Sequence, residues 1–202
     1  MKVLNLATLA VGVLMLSQCT LPEFPLVSSR FQVARRPLVV MPPVASQPPL
    51  FVWHGTGQPG PLSVNIDLSE QKAYLFKSGQ SVGWTYVATG RSGFATPTGT
   101  FRITEKIVDK RSNRYGSIVD RNGNVVNSNA TAGVSRIPPG GRFVGAKMPY
   151  WMRITGYGVG LHAGAIPNPG ATASHGCIRL PRDFAQTVFE NASVGTRITI
   201  MQ

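Results

Sequence analysis

The sequence predicts a mainly β fold, a sandwich or barrel-like domain with one or two short helices. Three observations carry that expectation. From residue 61 onward, apolar and polar residues alternate in short runs, the period of a half-buried strand. Gly (22) and Pro (16) make up about a fifth of the 202 residues, which disfavours long helices and favours strands joined by turns. A single stretch carries strong helix signals. An apolar share of 43% can fill one core, and a charged share of 14% is too low for a disordered polyelectrolyte. The length suits one domain of ordinary size.

The chain opens with Met1-Lys2 and an apolar run from Leu6 to Leu16, too short to span a bilayer comfortably. Residues 1–19 therefore read as a secretory signal. Leu16-Ser17-Gln18-Cys19 resembles the bacterial lipoprotein signal, in which the Cys after the cut is lipidated and becomes the mature N-terminus. A small residue usually precedes that Cys, and Gln18 stands there instead. No Asp follows Cys19, so the usual sorting pattern would send such a lipoprotein to the outer membrane, facing the periplasm. Residues 20–60 hold 8 of the 16 prolines and no hydrophobic period, which predicts an extended, solvated tether. His54 lies there without a second metal-ligating residue nearby.

The domain is expected over 61–202. Val64, Ile66 and Leu68 alternate with polar residues as a first strand, Ala73–Phe76 make a second, and Lys77–Gln80 form the turn after it. Val82, Trp84, Tyr86 and Ala88 alternate again. Thr100–Val108 reads as one strand. Asn122-Gly123 between Ile118-Val119 and Val125-Val126 is a strong hairpin signal, because both turn residues tolerate positive φ. Trp151–Thr155 and Val159–Ala163 read as short strands. Pro181–Asn191 is the helix: Pro suits its first position, Asp183 sits in the first turn, and Phe184, Val188 and Phe189 give an apolar side. Thr196–Met201 closes the chain as a strand.

The chemistry concentrates in sixteen residues. Two of the three His and one of the two Cys fall between His162 and Cys177, in Leu161-His162-Ala163-Gly164 and Ser174-His175-Gly176-Cys177-Ile178-Arg179. A thiol ionises near pH 8.5, and a neighbouring imidazole can take its proton. A His 15 residues before the Cys can return on a neighbouring strand and face it. Gly176 clears space for a substrate carbonyl, and backbone N–H groups at Gly176 and Cys177 can point at a developing oxyanion. Arg179 can pair with a carboxylate. Zinc is disfavoured, because Cys177, His162 and His175 leave a structural site one ligand short. An inert core thiol is the bland alternative, in unusual company for one.

The segments LHAG and ASHGCIRLP resemble the active-site motif of the YkuD-type L,D-transpeptidases, bacterial enzymes that crosslink peptidoglycan. Thr89-Gly90-Arg91 followed by Thr96-Pro97-Thr98-Gly99-Thr100-Phe101, and Met148–Arg153, are similar to other stretches of that family, so the resemblance runs over residues 62–202. It implies a β-rich sandwich with the Cys in a cleft. It makes Cys177 the nucleophile and His162 the general base, with His175, Ser174 and Gly176 shaping the site. A backbone carbonyl near Ala163 or Gly164 would hold the imidazole. Arg179 would meet a substrate carboxylate, and Tyr150 either lines the cleft or is a core aromatic. His175 remains the rival base. No metal or organic cofactor is needed. The implied partners are peptidoglycan stem peptides and, as acceptor, a second stem or a wall-anchored protein, with a lipid anchor holding the enzyme at a membrane. A hydrolase on the same scaffold and a non-catalytic wall-binding lipoprotein are the competing readings. The net charge of +12, from 20 Lys+Arg and 8 Asp+Glu, suits an anionic wall polymer. A nucleic-acid partner is argued against by the export signal.

Overall fold

The computed structural model describes residues 48–202; the signal segment, Cys19 and the tether up to residue 47 lie outside the described residues. Eleven strands and one helix follow in order: β1 (Phe51–Trp53), β2 (Leu62–Asp67), β3 (Lys72–Lys77), β4 (Gln80–Tyr86), β5 (Gly99–Arg102), β6 (Glu105–Val119), β7 (Val125–Thr131), β8 (Arg142–Arg153), β9 (Gly160–Ala163), β10 (Ile178–Leu180), α1 (Arg182–Asn191) and β11 (Arg197–Met201). They build two sheets, ordered β1-β4-β3-β2-β11-β5 and β10-β9-β8-β6-β7. The mainly β sandwich expected from the alternation is the observed class.

The alternation explains the first sheet directly. β2 and β3 bury every second residue, Leu62, Val64 and Ile66 against Ala73 and Leu75. β11 pairs parallel to β2 and adds Ile198 and Ile200 to the same core. The second sheet contributes Met152, Leu161, Ala163, Ile178 and Leu180, and α1 closes the core with Phe184, Ala185 and Val188. The two sheets thus share one apolar layer. Lys106 fixes the end of α1 by donating to the carbonyls of Phe189 and Ala192 at 2.6 and 2.5 Å, a favourable place for a cation beside unpaired helix carbonyls.

Three expectations change. The stretch read as a single strand over Thr100–Val108 is two strands in different sheets. At Ile103 the backbone donates to Thr196, and at Thr104 it donates to Arg153, so the chain changes sheets between them. Of the strand read at Trp151–Thr155, only Trp151–Arg153 is strand, and it is the end of the twelve-residue β8, which pairs with β6 from Arg142 to Arg153. The folded domain also extends back into the stretch expected to be tether. Phe51–Trp53 pairs antiparallel with β4, Phe51 packs 4.9 Å from the Phe184 ring, and the Trp53 ring lies 6.3 Å from it. Lys77, 9% exposed, donates to the carbonyls of Gly55 and Gln58 and pins the following loop. Proline content hid this strand, because the apolar Phe-Val-Trp run is too short to show a period. The hairpin at Asn122-Gly123 forms as expected, with Asp120 and Asn124 exchanging backbone and side-chain bonds across it.

A chain beginning at residue 61 should therefore be less stable than one beginning at residue 48. Losing the partly buried Phe51 and Trp53 removes on the order of 2 kcal/mol or more of apolar burial. Calorimetry should show a lower melting temperature for the shorter chain; equal values would mean that β1 adds nothing.

Candidate active site

The SHGC segment enters β10, and β10 runs parallel to β9 with Arg179 opposite His162. This register explains how residues fifteen positions apart meet: the loop between them returns the chain alongside its own earlier strand. Cys177, His162, His175, Arg179, Ser174 and Gly176 all line one cleft of about 740 Å³. Tyr150 does not. It has φ +57, its ring packs 5.7 Å from Phe189, and its hydroxyl donates to Gln186 of α1. The left-handed backbone turns Tyr150 toward the helix while its neighbour Trp151 lines the cleft, so the core-aromatic alternative holds.

The loop that carries the thiol is tied down atom by atom. Ser174 Oγ donates to the Cys177 carbonyl at 2.5 Å and accepts the Gly176 N–H at 3.0 Å. Thr96 Oγ1 donates to the Gly176 carbonyl and accepts the Gly90 N–H, both at 2.9 Å. Gly176 has φ +107, which a side-chain-bearing residue rarely adopts. A Cβ on Gly90 would stand 1.7 Å from the Phe94 carbonyl. The Gly176 N–H is thus engaged, contrary to the expectation that it would face an oxyanion. The Cys177 N–H has no protein acceptor among the described residues.

Beneath this loop lies a buried side chain that sequence reasoning missed. Gln71, 2% exposed and at φ +51, accepts the Thr89 N–H at 2.9 Å and donates to the Leu68 carbonyl at 2.7 Å. The Thr89 carbonyl in turn accepts from Ala173 and Ser174. A polar residue in a turn gives no signal of such a role; only its burial does. Thr96 and Arg91 had stood out solely as parts of a motif.

The two histidines differ in kind. His162 is 6% exposed, and its Nδ1 lies 2.8 Å from the Ala163 carbonyl. A carbonyl only accepts, so Nδ1 carries the proton and Nε2 is the basic nitrogen. Burial pushes the His162 pKa down to about 4; the Ala163 carbonyl opposes this and the Arg179 charge adds to it. His175 instead sits in an aromatic slot, stacked 4.3 Å from Tyr115 and edge-on 4.6 Å from Phe94. Arg91 Nη2 lies 3.0 Å from its Nε2. A guanidinium only donates, so His175 Nε2 accepts and is occupied. Burial, then Arg91 and Arg179, hold His175 below the usual range. Burial pushes the Cys177 thiol up, while a Gly160 backbone bond and Arg179 work the other way. The site therefore rests as a neutral thiol, directed at the Gly158 carbonyl 3.8 Å away, and a neutral imidazole in the same cleft. Such a pair can pass one proton from sulfur to His162 Nε2 when an electrophile arrives.

The family model for the YkuD L,D-transpeptidase catalytic domain matches residues 61–200. The chain belongs to the L,D-transpeptidase catalytic-domain family. Among curated proteins, none matches it. Solved structures with the same fold include an L,D-transpeptidase from Stackebrandtia nassauensis, 22% identical, with TM-score 0.51 over 72% of this chain and 57% of that one. Another is an L,D-transpeptidase from Mycobacterium smegmatis, 24% identical, with TM-score 0.53 over 70% and 58%. A third is an L,D-transpeptidase in complex with imipenem, 23% identical, with TM-score 0.52 over 69% and 58%. The match spans little more than half the length of these relatives.

The buried imidazole sets an acid-side dependence of stability. The folded pKa of His162, about 4, lies below the ordinary imidazole value of 6.5, so between these values the unfolded chain binds the extra proton. Stability is then complete above about pH 6.5 and falls as pH drops toward 4, by on the order of 3 kcal/mol from this group. Urea unfolding across that range should show the decline in the native protein and a flatter profile in His162→Gln. An unchanged slope in the variant would assign the dependence elsewhere.

Proposed function

We propose that the protein is a cysteine-dependent L,D-transpeptidase that acts on tetrapeptide stems of peptidoglycan. The observation that carries the reading is His162 fixed on the Ala163 carbonyl in the same cleft as Cys177, within a chain of this family. Cys177 is the nucleophile and His162 the base. The thiol gives its proton to His162 Nε2 as sulfur attacks the carbonyl of the third stem residue. The Cys177 N–H faces the oxyanion. The imidazolium then protonates the leaving D-Ala amine, and a thioester remains on Cys177. An acceptor amine attacks the thioester, loses its proton to His162, and restores the thiol. The product is a 3→3 crosslink when the amine belongs to another stem, or a wall-attached protein when it belongs to a protein. Arg179 is half-buried and has no carboxylate partner among the described residues, so a substrate carboxylate is its natural counter-ion. His175, with Nε2 held by Arg91, positions the loop rather than taking the thiol proton.

Mass spectrometry of muropeptides after incubation with tetrapeptide-containing sacculi tests this. Dimers with 3→3 links are expected, Cys177→Ser should be nearly inactive, and His162→Ala should lose at least about 10²-fold, the scale for a lost general base. Imipenem should add once to Cys177 and not to Cys177→Ala, in keeping with the related enzyme's complex. D-Ala release without dimers, even with excess acceptor, would move the protein to the hydrolase reading. Near-normal rates in His162→Ala beside an inactive His175→Ala would exchange the two histidines.

The location proposed is the periplasm, with a lipid on Cys19 anchoring the chain at the outer membrane; the support is Leu16-Ser17 and the apolar run before it. Mass spectrometry of the mature N-terminus should find diacylglyceryl-Cys19. A mature chain beginning at any other residue would refute the anchor.

A further inference from the structure

Charge is sorted across this domain. Residues 61–202 carry 16 Lys+Arg and 7 Asp+Glu. Five of those cations line the cleft (Lys110, Arg114, Lys147, Arg153 and Arg179), and none of the acids does. The acids are occupied or face elsewhere. Asp67 and Asp120 bind their own turns, Glu70 binds Tyr74, and Glu190 binds Gln186. Glu105 holds Arg153 at 3.1 Å, the only side-chain ion pair among the described residues. Arg153 is therefore neutralised from behind, and Arg179 stands beside the thiol. Lys110 on β6, Arg114 further along β6 and Lys147 on the paired stretch of β8 are left without a carboxylate partner among the described residues.

They gather around the place where β6 and β8 change register: Arg114 lies between the Arg111–Lys147 and Gly116–Gly145 pairs, Lys147 belongs to the first of these, and Lys110 pairs with Met148 just before it. The extra residues of β6 there line the same cleft as Cys177. A water-filled groove walled by one sign of charge concentrates ligands of the other sign. The ligand must also be an extended peptide if it is to reach both this strip and the thiol.

We propose that Lys110, Arg114 and Lys147 form a second anion subsite, which takes a free carboxylate of the stem upstream of the scissile bond while Arg179 takes one beside the thiol. The assignment rests on the transpeptidase reading and deepens it: the preferred stem is one whose carboxylates are free rather than amidated. Exposed cation–carboxylate contacts are individually modest, so the subsite acts by number and is weakened by salt.

The test uses the full chain carrying Cys177→Ala, so that binding is read without turnover. Two synthetic tetrapeptide stems with diaminopimelate at the third position serve as probes. One has all its carboxylates free; the other has the side carboxylates of its second and third residues converted to amides. Titration calorimetry should give about tenfold tighter binding of the free acid at low salt, shrinking at about 0.3 M salt. Adding Lys110→Gln and Lys147→Gln should bring the ratio to about twofold. Lys147→Glu alone should reduce it as well, and its exposed position keeps folding out of the question. Equal binding of the two peptides, no binding of either, or a tenfold ratio retained in the variants would overturn the subsite. Turnover is read separately with Cys177 intact. A tenfold binding preference without D-Ala release would keep the subsite and remove the transpeptidase chemistry.

Discussion

The structure depends on one crossing of the chain. Just past β4, Ala88 leaves the first sheet and exchanges both backbone hydrogen bonds with Arg179 of β10, at 3.1 and 3.0 Å. One residue later the Thr89 carbonyl accepts from Ala173 and Ser174, and Arg91 donates to the Ser174 carbonyl. These bonds stitch the two sheets together at the SHGC loop. They also decide where the thiol stands, because every residue from Ala173 to Arg179 is measured from this seam. Gln71 underpins it from the first sheet with a side chain that mimics a strand neighbour. Removing such a buried, fully bonded amide strands its partners, which costs about 1–3 kcal/mol for each polar group left unpaired.

The seam separates two duties that the sequence left on two similar side chains. His162 is on a strand, deep, and oriented by its own neighbour's carbonyl. His175 is on the loop, clamped by a cation and two aromatic rings. Both rest neutral, yet only one has its basic nitrogen unengaged by an arginine. The difference arises from fixed hydrogen-bond roles: a carbonyl cannot donate and a guanidinium cannot accept.

Much of this was legible in the residues. Strict alternation marked β2 and β3, because each faces the core on one side and solvent on the other. Asn122-Gly123 marked the hairpin, and Pro181 with Asp183 marked α1. The His–Cys constellation was legible as well, since few inert cysteines have such neighbours. What failed to show has a common physical cause. The middle of β6 and the first half of β8 border the cleft and solvent, so neither side of these strands is uniformly apolar. Lys110, Arg114 and Lys147 there look like loop residues in sequence. β1 and β10 are three residues long, too short for any period. Tyr150 stayed open between cleft and core because a left-handed backbone cannot be read from a tyrosine.

The burial that raises the Cys177 thiol also bears on how long the protein survives. Peroxides and disulfides react with thiolates, and the step to sulfenic acid is slow for a thiol that keeps its proton. At the periplasmic location proposed above, the reducing pool that protects cytosolic thiols is absent. Under the mechanism proposed above, a sulfur that keeps its proton until a carbonyl is in place gives up a standing supply of nucleophile. In exchange, it is shielded from oxidants during the long intervals between substrates.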